Sequence, residues 1–174
     1  MTEVFSLEAI KLIMSGYKEI IEKGEAERFQ LLKQFMLAAN YGGIAFGNAG
    51  VGAVHALSYS IGGAFHVPHG EANYAFFTEV FKMYAKKQPD GKIKEATRIL
   101  AEILGCDPAG DVYGELEQFL NKLIVKKKLS EYGMTEAQID EFTDSTISNQ
   151  QRLLVNNYVP LSKEEIREIF ANLY

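Results

Sequence analysis

The 174-residue chain has three histidines, His55, His66 and His69, and all lie in the run HALSYSIGGAFHVPHG at residues 55–70. Imidazole is the commonest side chain for binding Zn2+ and Fe2+ and titrates near neutral pH. His55 falls inside a helical pattern; His69 follows Pro68, where the next helix opens. Neighbouring helices can aim two such side chains at one point. Residues 34–70 contain no Asp, Glu, Lys or Arg, so a cation held there would be the dominant local charge. Spacing alone leaves the other reading open, in which these are ordinary histidines satisfied within a core.

Other chemistries are excluded more firmly. The single cysteine, Cys106, rules out a zinc finger, whose closed site needs four protein ligands. Neither HEXXH nor GxSxG occurs, so the zincin protease and the serine nucleophile elbow drop out. Cys106 follows Leu104-Gly105, where a helix should end, and reads as a small apolar filler. Two histidines fall short of the three protein ligands of a catalytic zinc site. Glu71 could add a carboxylate, but one turn further on it should point elsewhere. The remaining ligands must come from elsewhere in the chain or from chain that is not here.

The elements that position these residues read as helices throughout. Ile10, Ile13, Met14, Tyr17, Ile20 and Ile21 have helical spacing, and Gly24 can end that helix. A second helix is expected from Glu25 to about Asn48, with Phe29, Leu32, Phe35, Met36 and Ala39 as its apolar face. Gly42, Gly43 and Gly47 loosen its end and suggest a close approach to the backbone there. A third helix should run from near Gly50 to Gly63 and a fourth from His69-Gly70, with Tyr74, Phe77, Val80, Phe81 and Tyr84 facing the core. Pro89-Asp90-Gly91 is a turn. Ile93 to Ile103 and Val112 to Leu123 mark two more helices. Capping boxes at Thr135–Gln138 and Ser162–Glu165 open the last two. Lys126-Lys127-Lys128 is expected at a helix C-terminus, favoured by the helix dipole. No alternating strand is visible. The expectation is an all-α single domain over residues 1–174, about eight helices with the neutral segment 34–70 at its centre.

Composition narrows the setting. The net charge is −5, which argues against nucleic acid or an anionic membrane as partner. The neutral segment carries seven glycines up to Gly63, plus Asn40, Asn48 and the histidines, so it does not read as a membrane span. The N-terminal run MTEVFSLEAI lacks the features of a signal peptide. With one cysteine, a reducing, cytoplasmic location is expected.

The stretch AFGNAGVGAVHALSYSIGGAFHVPHGEAN, residues 45–73, resembles the signature of the iron-containing (group III) alcohol dehydrogenases. That signature runs A-F-S-N-A-G-x-G-x-V-H-A-x-x-H-x-[IL]-G-G-x-x-H-x-P-H-G-x-x-N. The likeness extends over essentially the whole chain, and SLEAIKLI resembles the family's first helix after its inter-domain stretch. The tyrosine of HALSY and the closing helices look most like the 4-hydroxybutyrate dehydrogenase branch.

The resemblance implies the C-terminal helical domain of a dehydroquinate-synthase-like, two-domain fold, lacking the N-terminal α/β domain that binds NAD(P). It implies a divalent metal, Fe2+ or Zn2+, held by an Asp, a His four residues on and two later histidines. The later pair matches His55 and His69; no DxxxH is present. Phe46 matches a residue bordering the nicotinamide, with Asn48 beside it. Tyr59 stands where the family has a histidine assigned to proton relay or substrate. That task would fall to Tyr59, to His66, which lines the cleft in relatives, or to water. A phenol with an ordinary pKa of about 10 is a poor base. The implied activity is interconversion of a primary alcohol and an aldehyde, 4-hydroxybutanoate and succinate semialdehyde, with this chain inactive alone. The rival expectation is a non-catalytic helical module or one half of a split enzyme. It would dock a missing N-terminal half or self-associate through exposed apolar surface.

Overall fold

The computed structural model describes residues 2–174, and every regular element in them is helical. Among the described residues are nine α-helices and two short 3-10 turns. The chain forms two compact units, Met1–Gly50 and Val51–Tyr174.

The first unit is a helical hairpin of α1 (Thr2–Lys23) and α2 (Leu32–Ala49). Gly24 ends α1 at φ 104°, a conformation that glycine adopts without strain. The next five residues, Glu25–Phe29, form a 3-10 turn, so α2 starts later than the pattern suggests. The helices run antiparallel: Phe5 meets Tyr41 with ring centroids 5.4 Å apart, and Tyr17 meets Phe35 at 5.7 Å. Gly16 permits this approach, since a Cβ there would fall 2.7 Å from the Phe35 ring. The Gln34 amide donates to the Leu12 carbonyl oxygen at 2.7 Å.

The buried face of α2 differs from the expected one. Ala38 and Ala45 are buried, whereas Phe29, Leu32 and Met36 are 61, 53 and 73 % exposed. Apolar residues surround α2 on nearly all sides, so periodicity could not select the packed stripe. The small residues face α1 because they allow the backbones to come close. Gly42, Gly43 and Gly47 face open space among the described residues, so the close approach expected at them is not seen here.

The second unit contains α3 (Ala53–Phe65), α4 (His69–Lys87), α5 (Lys92–Leu104), α6 (Val112–Leu120), a 3-10 turn at Leu129–Tyr132, α7 (Gln138–Asn149), the single turn α8 (Gln151–Leu154) and α9 (Lys163–Leu173). The uncharged α3 is central and packs against α4, α7 and α8. Ala53, Ala56, Leu57, Ser58 and Ile61 are all buried in it. Within the second unit the neutral segment is central through α3, while α2 belongs to the first unit.

Helix α4 is packed on several sides, by α3, α5, α6 and α9. Its most deeply buried large side chain is Phe76, which lies off the expected stripe, while Phe77 and Phe81 are half-buried. Phe76 meets Phe170 of α9 edge-on at 5.3 Å; Phe170 meets Phe142 of α7 at 6.2 Å, and Phe142 meets Phe65 of α3 at 6.1 Å. This aromatic chain joins four helices. The capping box expected at Ser162 forms in both directions. At Thr135 only the return half forms, the Gln138 side chain accepting from the Thr135 N–H at 2.9 Å, and α7 begins at Gln138.

The 121–128 connection fastens the N-terminal half of α4. The Tyr74 hydroxyl donates to Asn121 Oδ1 at 3.1 Å, and burial followed by the nearby Glu117 charge pushes its pKa up to about 12. The lysine cluster does not cap a helix, because α6 stops at Leu120. Instead the Lys126 ammonium donates to Glu117 Oε2 and to Thr78 Oγ1, both at 2.8 Å, and its side chain is only 8 % exposed. Burial opposes ionisation of Glu117, but the Lys126 ammonium and the Thr78 hydroxyl outweigh it and hold the carboxyl below its ordinary value. The stabilisation is therefore present above the unfolded value of 4.5 and is lost as pH falls through the lower folded value. Replacing Lys126 by Met leaves Glu117 charged and half-buried, and we expect a loss of about 2–3 kcal/mol in urea unfolding at neutral pH. That gap should narrow towards about pH 4, where Glu117 in the variant takes up a proton. A gap that stays constant with pH would mean the ion pair is not its source.

Candidate metal site

His55 and Tyr59 lie one turn apart on α3, so both face the same side. His69 opens α4. The connection between the helices is short: His66 adopts a left-handed conformation at φ 55°, Val67 is buried, and Pro68 is extended at φ −54° and ψ 140°. The chain doubles back along α3, which brings the start of α4 beside the middle of that helix. The His55 and His69 ring centroids are 5.2 Å apart, and the Tyr59 ring stacks on His69 at 6.2 Å.

The two histidines converge through their Nε2 atoms. Asn73, one turn after His69, places its amide nitrogen 3.0 Å from His69 Nε2 and 3.3 Å from His55 Nε2. Its carbonyl oxygen accepts from the Ser58 hydroxyl of α3 at 2.7 Å. Burial, and secondarily the proximity of His69, holds the His55 pKa below its ordinary 6.5. Imidazole nitrogens so placed are of the donor type that zinc and iron accept. Among the described residues no group of three or more His, Cys, Asp or Glu is arranged to hold a metal. Glu71 is turned away, its carboxylate bonded to Lys127 Nζ at 3.0 Å.

His66 is exposed at the far end of α3, eleven residues from His55, or roughly 16 Å along the helix. Phe46 and Asn48 belong to α2 in the first unit. Phe46 is 59 % exposed, which excludes a core role within the described residues. The Asn48 amide donates to the Ile44 carbonyl oxygen of its own helix at 2.7 Å. Sequence reasoning missed Asn73 and Ser58. The available signal was register: Ser58 follows His55 by three residues and Asn73 follows His69 by four, so each shares a helix face with its histidine.

With this geometry in place, comparison with known proteins decides the family. The model of the C-terminal part of the Fe-containing alcohol dehydrogenase family matches residues 1–174. The chain belongs to this family. It is 56 % identical over 173 residues to 4-hydroxybutyrate dehydrogenase of Clostridium kluyveri, covering 99 % of this chain and 46 % of that protein. Identity to long-chain-alcohol dehydrogenase 1 of Geobacillus thermodenitrificans is 29 %, over 93 % of this chain and 41 % of that one. Among solved structures, an iron-containing alcohol dehydrogenase from Thermococcus thioreducens superposes with a TM-score of 0.75 at 28 % identity, covering 99 % of this chain and 44 % of the other. An archaeal alcohol dehydrogenase from a Red Sea brine pool gives 0.85 at 23 % identity, over 99 and 44 % of the two chains, which speaks for the fold alone. The chain thus spans about half the length of the family members it matches. In this family the expected all-α C-terminal fold is observed. The family is named for iron.

The strained cap at His66 yields a stability test. A non-glycine residue in the left-handed region costs about 1 kcal/mol. We expect His66→Gly to raise stability by about 0.5 kcal/mol and the β-branched His66→Val to lower it by more than about 1 kcal/mol. Thermal unfolding of the two variants checks this; the opposite order would show that the conformation is not strained.

Proposed function

We propose that this chain is the metal-holding C-terminal domain, over residues 1–174, of a cytoplasmic NAD(P)-linked alcohol dehydrogenase. The proposed reaction interconverts 4-hydroxybutanoate and succinate semialdehyde. The observation that carries the reading is the convergence of His55 and His69 Nε2 on one point, in a chain 56 % identical to a 4-hydroxybutyrate dehydrogenase. His55 and His69 would hold the metal, Fe2+ or Zn2+. A divalent cation bound there supplies Lewis acidity to an alcohol or carbonyl oxygen.

The chain's own groups do the rest. Uncharged α3 keeps fixed charges away from the imidazoles. Tyr59 holds one face of the His69 ring, and with 38 % of its surface exposed it can present its hydroxyl to a substrate. His66 is the second candidate for handling a substrate proton. Phe46 and Asn48 are assigned to the nicotinamide side, and the exposure of Phe46 agrees with a partner still to be met. The further ligands and the nucleotide site are assigned to the part of the family's length that this chain does not span.

A fusion tests this directly. The preceding part of the Clostridium kluyveri enzyme, joined to this chain, should oxidise 4-hydroxybutanoate with NAD or NADP. His55→Ala and His69→Ala should each lower that rate at least about a hundredfold, as loss of a metal ligand does. The unfused chain should show no turnover. Full activity in either alanine variant, or steady oxidation by the unfused chain, would overturn the reading.

A second reading has support from α2. Leu32, Met36 and Phe46 are each more than half exposed and lie within about 80° of one another around the helix. This suits a helical module that docks a separately encoded half or a second copy of itself. Sedimentation should then show concentration-dependent association that Met36→Glu weakens. A monomer at all concentrations would remove self-association as a property of this face.

A further inference from the structure

We propose that Asn73 is a positioning residue that sets the tautomer of both site histidines. Its amide group donates one hydrogen to His55 Nε2 and one to His69 Nε2, so each ring carries its own hydrogen on Nδ1. The inference builds on the reading of these histidines as ligands, but its test needs no metal.

A primary amide has two hydrogens, and a neutral imidazole has one accepting nitrogen. The Asn73 nitrogen lies 3.0 Å from one Nε2 and 3.3 Å from the other, so both hydrogens find acceptors only if both Nε2 atoms are bare. The orientation of the amide is fixed from the other side. Ser58 is 1 % exposed, and its hydroxyl oxygen lies 2.7 Å from Asn73 Oδ1 and 3.0 Å from the carbonyl oxygen of His55. A hydroxyl has a single hydrogen, and the shorter contact takes it. The four residues form a clasp across two helices, with His55 and Ser58 from α3 and His69 and Asn73 from α4. A ligating imidazole must present a bare nitrogen, and its tautomer is set by the partner of the other nitrogen or, here, by a donor at the ligating nitrogen itself. The clasp holds both rings in the form that can accept a cation through Nε2. A cation bound by both lone pairs takes the place of the amide hydrogens, so Asn73 templates the pair and then gives way.

The test is a long-range 1H–15N correlation spectrum of the imidazoles in the 15N-labelled 174-residue chain. The sample is chelator-treated and held at about pH 8, where unperturbed imidazoles are neutral. In the wild type both rings should show a pyridine-like Nε2 and a protonated Nδ1. Asn73→Asp puts an acceptor of the same shape between the rings and should move a hydrogen onto Nε2 of at least one of them. Ser58→Ala, which leaves both histidines and Asn73 in place, should give mixed tautomers and serves if the aspartate variant does not fold. A protonated Nε2 on either wild-type ring would overturn the proposal, as would wild-type patterns in the folded variants. Zn2+ added to the wild-type sample reports separately on the ligands, by shifting both Nε2 resonances. If Zn2+ shifts neither while the tautomers are as expected, the metal reading fails and the role of Asn73 stands.

Discussion

The reversal of the chain between α3 and α4 is the constraint on which the site depends. Three residues, His66 to Pro68, connect the two helices. Had the chain simply continued past α3, His69 would lie beyond its end and far from His55. The left-handed turn at His66 sends the backbone back along the helix it has just left. Burial of Val67 pins the returning strand of chain, and Pro68 fixes the entry angle of α4, where its carbonyl accepts the first helical bond from Ala72 at 2.8 Å. The cost of a non-glycine residue at φ 55° is met by the packing on either side of it.

Electrostatics complete what the backbone begins. Burial lowers the His55 pKa, and one carboxylate of α4 and one of α6 are engaged by lysines of the 121–128 connection. Glu71 is taken by Lys127 and Glu117 by Lys126. The same lysines that first read as dipole partners of a helix end thus work as counter-charges.

The parts of this architecture that were legible in the sequence share one property: they are decided by neighbours close in the chain. Gly24 and Gly105 end helices through positive φ, Ser162 and Glu165 cap one another, and Pro68 separates α3 from α4. The His55–His69 pair was legible through its setting in the 45–73 motif. What escaped depends on contacts between distant segments. Which side of α2 is buried follows from Gly16 and the Phe35 ring, and no periodicity of α2 contains that information. Phe76 is buried because α4 has neighbours on several sides, which a single-stripe reading cannot represent. Lys126 was misplaced because the end of α6 at Leu120 carries no strong stop signal. Asn73 was visible as a letter of the motif, but its role needs two rings from two helices.

The clasp between α3 and α4 follows from the same physics. Two imidazoles on rigid, adjacent helices can be held at a fixed separation by one amide, because that requires only a short hydrogen-bonded clasp. An amide suits this position: with Asn73 as proposed, its two hydrogens meet the two Nε2 atoms, and it brings no charge of its own.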